Sequence, residues 1–296
     1  MSYTAWIILT AALVGLSCGI IGVFLILRKT AMMADAISHT VLLGIVLAFI
    51  VTREVGGTPM LIGGILAGIV TAFLVQWLHS LDVQHDASIG IVFTTLFAIG
   101  VILIATSIGN AHLDVQHALM GEITFIPFHT ITVPWIGEIP QATALLILVL
   151  LVVLFFIVTF YKEWKITSFD PALAASLGIP VLFMHYLFMG LVSVTTVASF
   201  DAVGAIMVVA MLITPAASSY LWTDKLVVML VLSGAFGVLS AVIGYYVAAW
   251  IDTSISGSMA FATGIIFLIS FLFSPKHGII AKRLKPETGQ TGTDPV

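Results

Sequence analysis

The sequence predicts an all-α fold, a polytopic membrane bundle of eight or nine transmembrane helices. Of its 296 residues, 60% are hydrophobic and 8% are charged, whereas soluble domains are about 25% charged. The mean hydropathy is +1.21, and the apolar residues fall in long runs. These observations indicate one transmembrane domain over residues 1–280. The polar tail over residues 281–296, rich in Gly, Thr and Pro, is expected to be disordered.

Nine apolar runs are long enough to cross a bilayer, which takes about 20 helical residues. They are 5–27, 34–52, 59–79, 86–107, 141–161, 180–200, 203–222, 226–250 and 255–274. The first run lacks a preceding basic segment and is longer than the apolar part of a signal peptide, so it is predicted to be a membrane helix. Eight crossings remain the alternative, with 86–107 or 203–222 broken or partly re-entrant.

The basic residues predict the orientation, because cytoplasmic loops are enriched in Lys and Arg. If the loop after the first helix is cytoplasmic, nine of the ten basic residues fall inside and only Arg53 falls outside. The nine are Arg28, Lys29, Lys162, Lys165, Lys225, Lys276, Lys282, Arg283 and Lys285. The chain is therefore predicted to begin outside the cell and to end in the cytoplasm.

Several classes of function are excluded by composition and motifs. The net charge of −4 and the lack of a basic cluster argue against a nucleic-acid partner. The single cysteine, Cys18, excludes an intrachain disulfide and a multi-cysteine metal site. No P-loop, H-E-x-x-H or G-x-S-x-G motif is present. The chain is therefore predicted not to be an enzyme.

An acidic residue and a histidine lie in the second apolar run. Asp35 and His39 are four residues apart and so share one helix face, where a carboxylate oxygen and an imidazole nitrogen can reach one Mn, Zn or Fe ion. Two ligands are too few for a tight site, but a second copy across a symmetry axis would supply four. The alternative is that Asp35 caps the helix and His39 satisfies a hydrogen bond in the core.

A short helix is predicted in the cytoplasmic stretch 162–179. Asp170 can cap it, Pro171 fits its first turn and Gly178 can end it. Its small apolar face suits docking into a groove of another protein, so a bulky charged residue at Ala174 or Ala175 is predicted to disrupt docking. The alternative is an ordinary interfacial turn.

The segment 201–222 carries two further candidates, Asp201 at its outer start and Pro215 near its inner end. Proline in a membrane helix often marks a kink or break, so both residues are candidates for a gate. The other reading is plain helix packing around small residues.

Two loops carry clusters of polar residues. The outer loop, 108–140, offers candidate metal or partner contacts, although their spacing fits no strict ligand motif and a solvated loop is the more common case. These are His112, Asp114, His117 and Glu122, with His129 nearby. In an inner loop, His79, Asp82, His85 and Asp86 are interpreted as a solvated cluster, and His185 as a packed or interfacial histidine.

Three of these segments together resemble motifs of the ABC-3 family, the permease subunits of ATP-binding-cassette importers for manganese, zinc and iron. The segments are DAISHTVLLG (35–44), SFDPALAASLG (168–178) and DAVGAIMVVAMLITPAA (201–217). They stand in the family's order, and the resemblance covers residues 5 to about 275. The manganese members are the most similar.

The resemblance implies a location in the bacterial plasma membrane and three kinds of partner. These are a second permease chain, identical or a paralogue, two cytoplasmic ABC ATPase subunits, and an extracellular metal-binding lipoprotein. It also implies that Asp35 and His39 contact the transported ion, with Mn²⁺ favoured, Zn²⁺ or Fe²⁺ as alternatives, and no cofactor permanently bound. The ATPase-coupling residues that it implies are Phe169, Asp170, Pro171, Ala174, Ala175, Leu177 and Gly178.

Two other classes of function stay open from the residues themselves. A gradient-driven secondary transporter acting without an ATPase could use Asp35 and His39 as a proton relay. A membrane scaffold or receptor would not need such a pair at all, and replacing either residue would then leave metal accumulation unchanged.

Overall fold

Nine membrane-length helices dominate the structure, a computed structural model that describes residues 3–53, 58–107, 123–128, 130–133, 137–276 and 278. Within these ranges the nine are α1 (Tyr3–Leu27), α2 (Ala31–Thr52), α3 (Thr58–His79), α4 (His85–Ser107), α5 (Gln141–Thr159), α8 (Val181–Val203), α9 (Ala205–Trp222), α10 (Leu226–Ile251) and α11 (Ile255–Phe273). The predicted all-α bundle is confirmed. Helix α4 is continuous from His85 to Ser107 and α9 from Ala205 to Trp222, so neither predicted run is interrupted in its interior.

Shorter elements fill two of the connections. Two short helices lie between α5 and α8: α6 (Tyr161–Phe169) and α7 (Pro171–Ser176). The predicted topology places both of them on the cytoplasmic side. Before α5, a 3-10 helix (Ile123–Phe128) precedes an antiparallel pair of strands, β1 (Thr130–Val133) and β2 (Gly137–Pro140). The hairpin falls in the predicted outer loop and was not expected. Unlike the strands of a closed barrel, two short strands leave unpaired edges, which are tolerated only outside the hydrocarbon layer.

The centre of the bundle is α1, which packs against α10, α9 and α5. The approach of α1 to α10 depends on small residues: a Cβ atom added at Gly15 would lie 2.5 Å from the carbonyl oxygen of Gly237. One turn below, the Ser233 hydroxyl donates to the carbonyl oxygen of Gly19 at 2.7 Å. Close backbone approach of this kind is the usual basis of helix association in lipid.

A second group of helices, α2, α3, α4 and α8, packs on the other side of the bundle. Hydroxyl groups join its members. The Thr71 hydroxyl on α3 lies 2.7 Å from that of Thr40 on α2, and the Ser193 hydroxyl on α8 donates to the carbonyl oxygen of Ile65 on α3 at 3.0 Å. Helix α4 has the smallest buried share of the nine spans, and it packs mainly on α2.

The junction of α8 and α9 differs from the prediction. Asp201 lies in the last turn of α8 and not at the start of the next helix, and Pro215 lies inside a continuous α9. The chain breaks at Gly204, whose φ of 81° is accessible to glycine but rarely to other residues. The break in this region is therefore made by Gly204, and Pro215 does not interrupt its helix.

Segments that carry the basic residues meet at one end of the bundle. The Arg28 guanidinium, after α1, donates to the hydroxyls of Thr167 and Ser168 on α6. Lys276, after α11, forms an ion pair with Asp224 in the turn between α9 and α10. The predicted orientation requires these basic segments to share one end of the bundle, and this requirement is the same whichever side of the membrane that end faces.

Candidate functional site

The polar face of α2 begins in its second turn. The residue at the N-cap position is Thr30, whose side chain makes no capping hydrogen bond, and Asp35 lies about 7.5 Å further along the helix axis. The alternative reading of Asp35 as a helix cap is therefore wrong, because only the first turn has unpaired N–H groups for a cap to accept.

Asp35 and His39 point to the same side of α2. The Oδ1 atom of Asp35 lies 3.4 Å from Nε2 of His39. Between Met33 and Gly44 these are the only side chains that are not buried, with exposed fractions of 38% and 37%. Between Met33 and Gly44 the helix is thus enclosed by protein except along this open, half-exposed face.

The separation of the two ligand atoms suits a shared metal ion. Two ligands on one ion, with bonds of about 2.1 Å, are roughly 3.0–3.5 Å apart, and the observed 3.4 Å falls in this range. Among the described residues no group of three or more His, Cys, Asp or Glu side chains could hold a metal. Further ligands would come from water or from another chain on the open side.

Two phenylalanine rings of α4 flank the imidazole of His39. The ring centres of Phe93 and Phe97 both lie 5.7 Å from that of His39, one tilted and one edge-on. Neither residue is among the site residues that the sequence predicts. Their i,i+4 spacing was a usable signal, but α4 is apolar on every side, and nothing in its sequence indicates which side faces α2.

The segment 162–179 folds locally as its sequence predicts. The carboxylate of Asp170 accepts from the backbone N–H of Leu173 at 2.9 Å, and Pro171 occupies the first turn of α7. After the helix, Gly178 has a φ of 79°. Asp170, Pro171 and Gly178 therefore set the shape of the segment.

The surface of this segment is more apolar than expected. Phe169, Leu173 and Leu177 are 50–61% exposed, and Ala175 is exposed beside them. Ala174, in contrast, is fully buried. A bulky residue at Ala174 would disturb the packing of α7 itself, so the predicted use of Ala174 as part of a docking face is corrected.

A half-buried arginine ties the segment to α1. The Arg28 guanidinium donates to the hydroxyls of Thr167 and Ser168, both at 3.0 Å, and lies 4.6 Å from the ring centre of Phe188 on α8. Burial lowers its pKa to about 10, so the group stays protonated at neutral pH. The sequence indicates only a topological role for Arg28, because its link to α6 depends on tertiary contacts that no local pattern encodes.

The remaining candidates fall into two groups. His112, Asp114, His117, Glu122 and His129 lie outside the described residues. Asp201 and Pro215 lie on α8 and α9 and are separated from each other by the Gly204 break. The structure therefore brings together Asp35 and His39 on α2 and, separately, residues 169–178 in and around α7.

Comparison with known proteins gives a consistent result. A family model described as the ABC 3 transport family matches residues 1–274. The manganese transport system membrane protein MntD of Bacillus subtilis is 57% identical over 96% of this chain and 97% of its own length. The zinc transport system membrane protein TroD of Treponema pallidum is 39% identical over 95% of this chain and 77% of its own. A chain of PsaBC from Streptococcus pneumoniae, solved in complex with Fab, has a TM-score of 0.79 at 33% identity and covers 96% of each chain.

Proposed function

The chain belongs to the ABC 3 transport family, and from that premise we propose that it is the membrane permease of an ATP-driven importer with Mn²⁺ as its cargo. A permease of this kind is a multi-pass membrane protein and is not itself the ATPase. The names of its relatives support manganese first, with zinc and iron as the alternatives.

The observation that carries this proposal is the Asp35–His39 pair, the only half-exposed side chains in the otherwise buried stretch Met33–Gly44 of α2. Ionisable groups inside a membrane bundle are costly and mark substrate or ion pathways. One carboxylate and one imidazole per chain offset part of the dehydration cost of a divalent ion, and the incomplete ligand set leaves the ion labile, as passage requires.

A second permease chain completes the pathway in this proposal. The two ligands of one chain face an open side, and a facing pair from the second chain would raise the number of protein ligands to four. That chain is identical or a paralogue. An extracellular metal-binding lipoprotein delivers the ion on the side where the chain begins, and the ion leaves on the side of α6 and α7.

Two cytoplasmic ATPase subunits drive the cycle through α7. The exposed apolar side chains of Phe169, Leu173 and Leu177 suit a hydrophobic groove. Movement of α7 passes to α6, and Arg28 connects α6 to the inner end of α1. Because α1 is the centre of the bundle, this link transmits the movement of the ATPases to the membrane helices, which rock as rigid bodies.

Uptake of radioactive Mn²⁺ by vesicles containing the assembled transporter tests the proposal. Asp35→Ala and His39→Ala are each expected to lower ATP-dependent uptake by about tenfold or more, since even residues that only orient metal ligands contribute 10–100-fold to affinity. Met32→Leu, on the exposed part of the same helix, is the matched control and should retain uptake. Normal uptake by both alanine variants at equal expression would exclude the pair from the ion path.

Uptake by the same vesicles distinguishes an ATP-driven importer from a gradient-driven transporter. An importer requires ATP on the cytoplasmic side and is unaffected when the proton gradient is collapsed. A secondary transporter using Asp35 and His39 as a proton relay would show the opposite pattern.

A further inference from the structure

A tight turn joins α3 to α4 and brings two histidines together. His79 is the last residue of α3 and His85 the first of α4, and the turn between them includes Asp82 at a φ of 63°. The two imidazole ring centres are 5.3 Å apart, with the rings at 75° to each other. The sequence alone favours a solvated loop here, but a solvated loop does not need two imidazole rings packed against each other.

The ring separation matches that of two histidines on one metal ion. With Zn–N bonds of about 2.0–2.1 Å and tetrahedral geometry, two ligating imidazoles have ring centres roughly 5 Å apart. The His79–His85 distance therefore allows one ion to be bound by both rings after rotation of the side chains, without movement of either helix.

Hydrogen bonding leaves one nitrogen of each ring available. Nδ1 of His79 is 3.1 Å from the carbonyl oxygen of Val83, a contact in which Nδ1–H donates and Nε2 keeps its lone pair. Metal-ligating histidines characteristically donate their second ring N–H to a carbonyl or carboxylate in this way. Nε2 of His85 is buried and has no hydrogen-bond partner in the described part of the chain.

We infer that His79 and His85 form a second divalent-metal site, separate from the Asp35–His39 pair, at the ends of α3 and α4. Within the described residues no third His, Cys, Asp or Glu joins them, so water completes the coordination. Imidazole ligands favour late first-row ions, and the Irving–Williams order puts Zn²⁺ well above Mn²⁺. The site therefore selects Zn²⁺ over the proposed cargo, and it lies on the cytoplasmic side under the predicted topology.

Zinc-binding stoichiometry of the full-length chain in detergent tests this inference. The chain is purified without a histidine tag and titrated with Zn²⁺ against a chromogenic chelator. Wild type is compared with His79→Gln, His85→Gln and the double variant. Each single variant is expected to lose the same one Zn²⁺, and the double variant to lose no more than either single variant. An excess of Mn²⁺ about tenfold over Zn²⁺ should not displace this ion.

Two control variants show whether the loss of bound Zn²⁺ is specific to the His79–His85 pair and separate from transport. His185→Gln removes an imidazole that interacts electrostatically with His85 but is outside the pair, and it should keep this Zn²⁺. Asp35→Asn should also keep it even if uptake is lost, so failure of the transport proposal and failure of this site are distinguishable. Unchanged stoichiometry in both pair variants, or loss in only one of them, would overturn the two-histidine site.

Discussion

The imidazole of His39 is oriented by three side chains, the carboxylate of Asp35 and the rings of Phe93 and Phe97. An aromatic contact contributes about 0.5–1.5 kcal/mol beyond its buried area, which corresponds to roughly two- to tenfold in an equilibrium constant. Phe97→Ala is therefore expected to raise the KM for Mn²⁺ uptake by about two- to tenfold, because the ring that holds the ligand in position is lost. The maximal rate should change less, since Asp35 and His39 remain.

Phe155→Ala is the matched control for Phe97→Ala. Phe155 lies on α5 and its ring is 63% exposed, so the same substitution removes the same volume without touching His39. Initial uptake rates over a range of Mn²⁺ concentrations separate the two cases. An unchanged KM in Phe97→Ala, at a normal level of folded protein, would show that the phenylalanine contact has no part in binding.

At the scale of secondary-structure elements, the sequence of α7 predicts where the helix begins, but it does not predict which of its side chains are exposed. Asp170 and Pro171 determine where the helix starts, whereas burial separates Ala174 from its exposed neighbours. Leu173→Glu places a charge on the exposed apolar face and is expected to reduce co-purification of the ATPase by about tenfold, since a charged group would have to be desolvated in the groove. The variant permease itself should fold normally.

Leu81→Glu provides the comparison for α7. Leu81 is 59% exposed in the turn between α3 and α4, at the same end of the bundle, so it controls for the introduced charge. Co-purified ATPase per permease, together with ATP-dependent uptake, reports the result. Equal ATPase recovery from Leu173→Glu and wild type would remove α7 from the docking surface.

Across the whole molecule, sequence patterns predicted what is local and missed what is tertiary. Hydropathy located nine helices because each crossing needs its own apolar run, and the i,i+4 rule paired Asp35 with His39. The contacts of Phe93 with His39 and of Arg28 with α6 could not be predicted, because nearly uniformly apolar helices do not indicate which side faces which neighbour. The sequence offers Pro215 as the candidate break point because proline is the stronger local signal, and it does not predict the break at Gly204.

Packing of α1 against α10 is the interaction on which the bundle's centre depends. A Cβ atom at Gly15 would lie 2.5 Å from the carbonyl oxygen of Gly237, a distance that requires the helices to move apart. Gly15→Ala is expected to destabilise the protein by about 1–3 kcal/mol, the usual cost of overpacking, despite the gain of about 1 kcal/mol in helix propensity. Gly264→Ala on α11 has nothing within 4 Å of the added atom, so it should be neutral or stabilising. Thermal unfolding of both variants in detergent measures the difference, and an unfolding temperature of Gly15→Ala equal to that of Gly264→Ala would mean that α1 and α10 tolerate a wider separation than their close contact indicates.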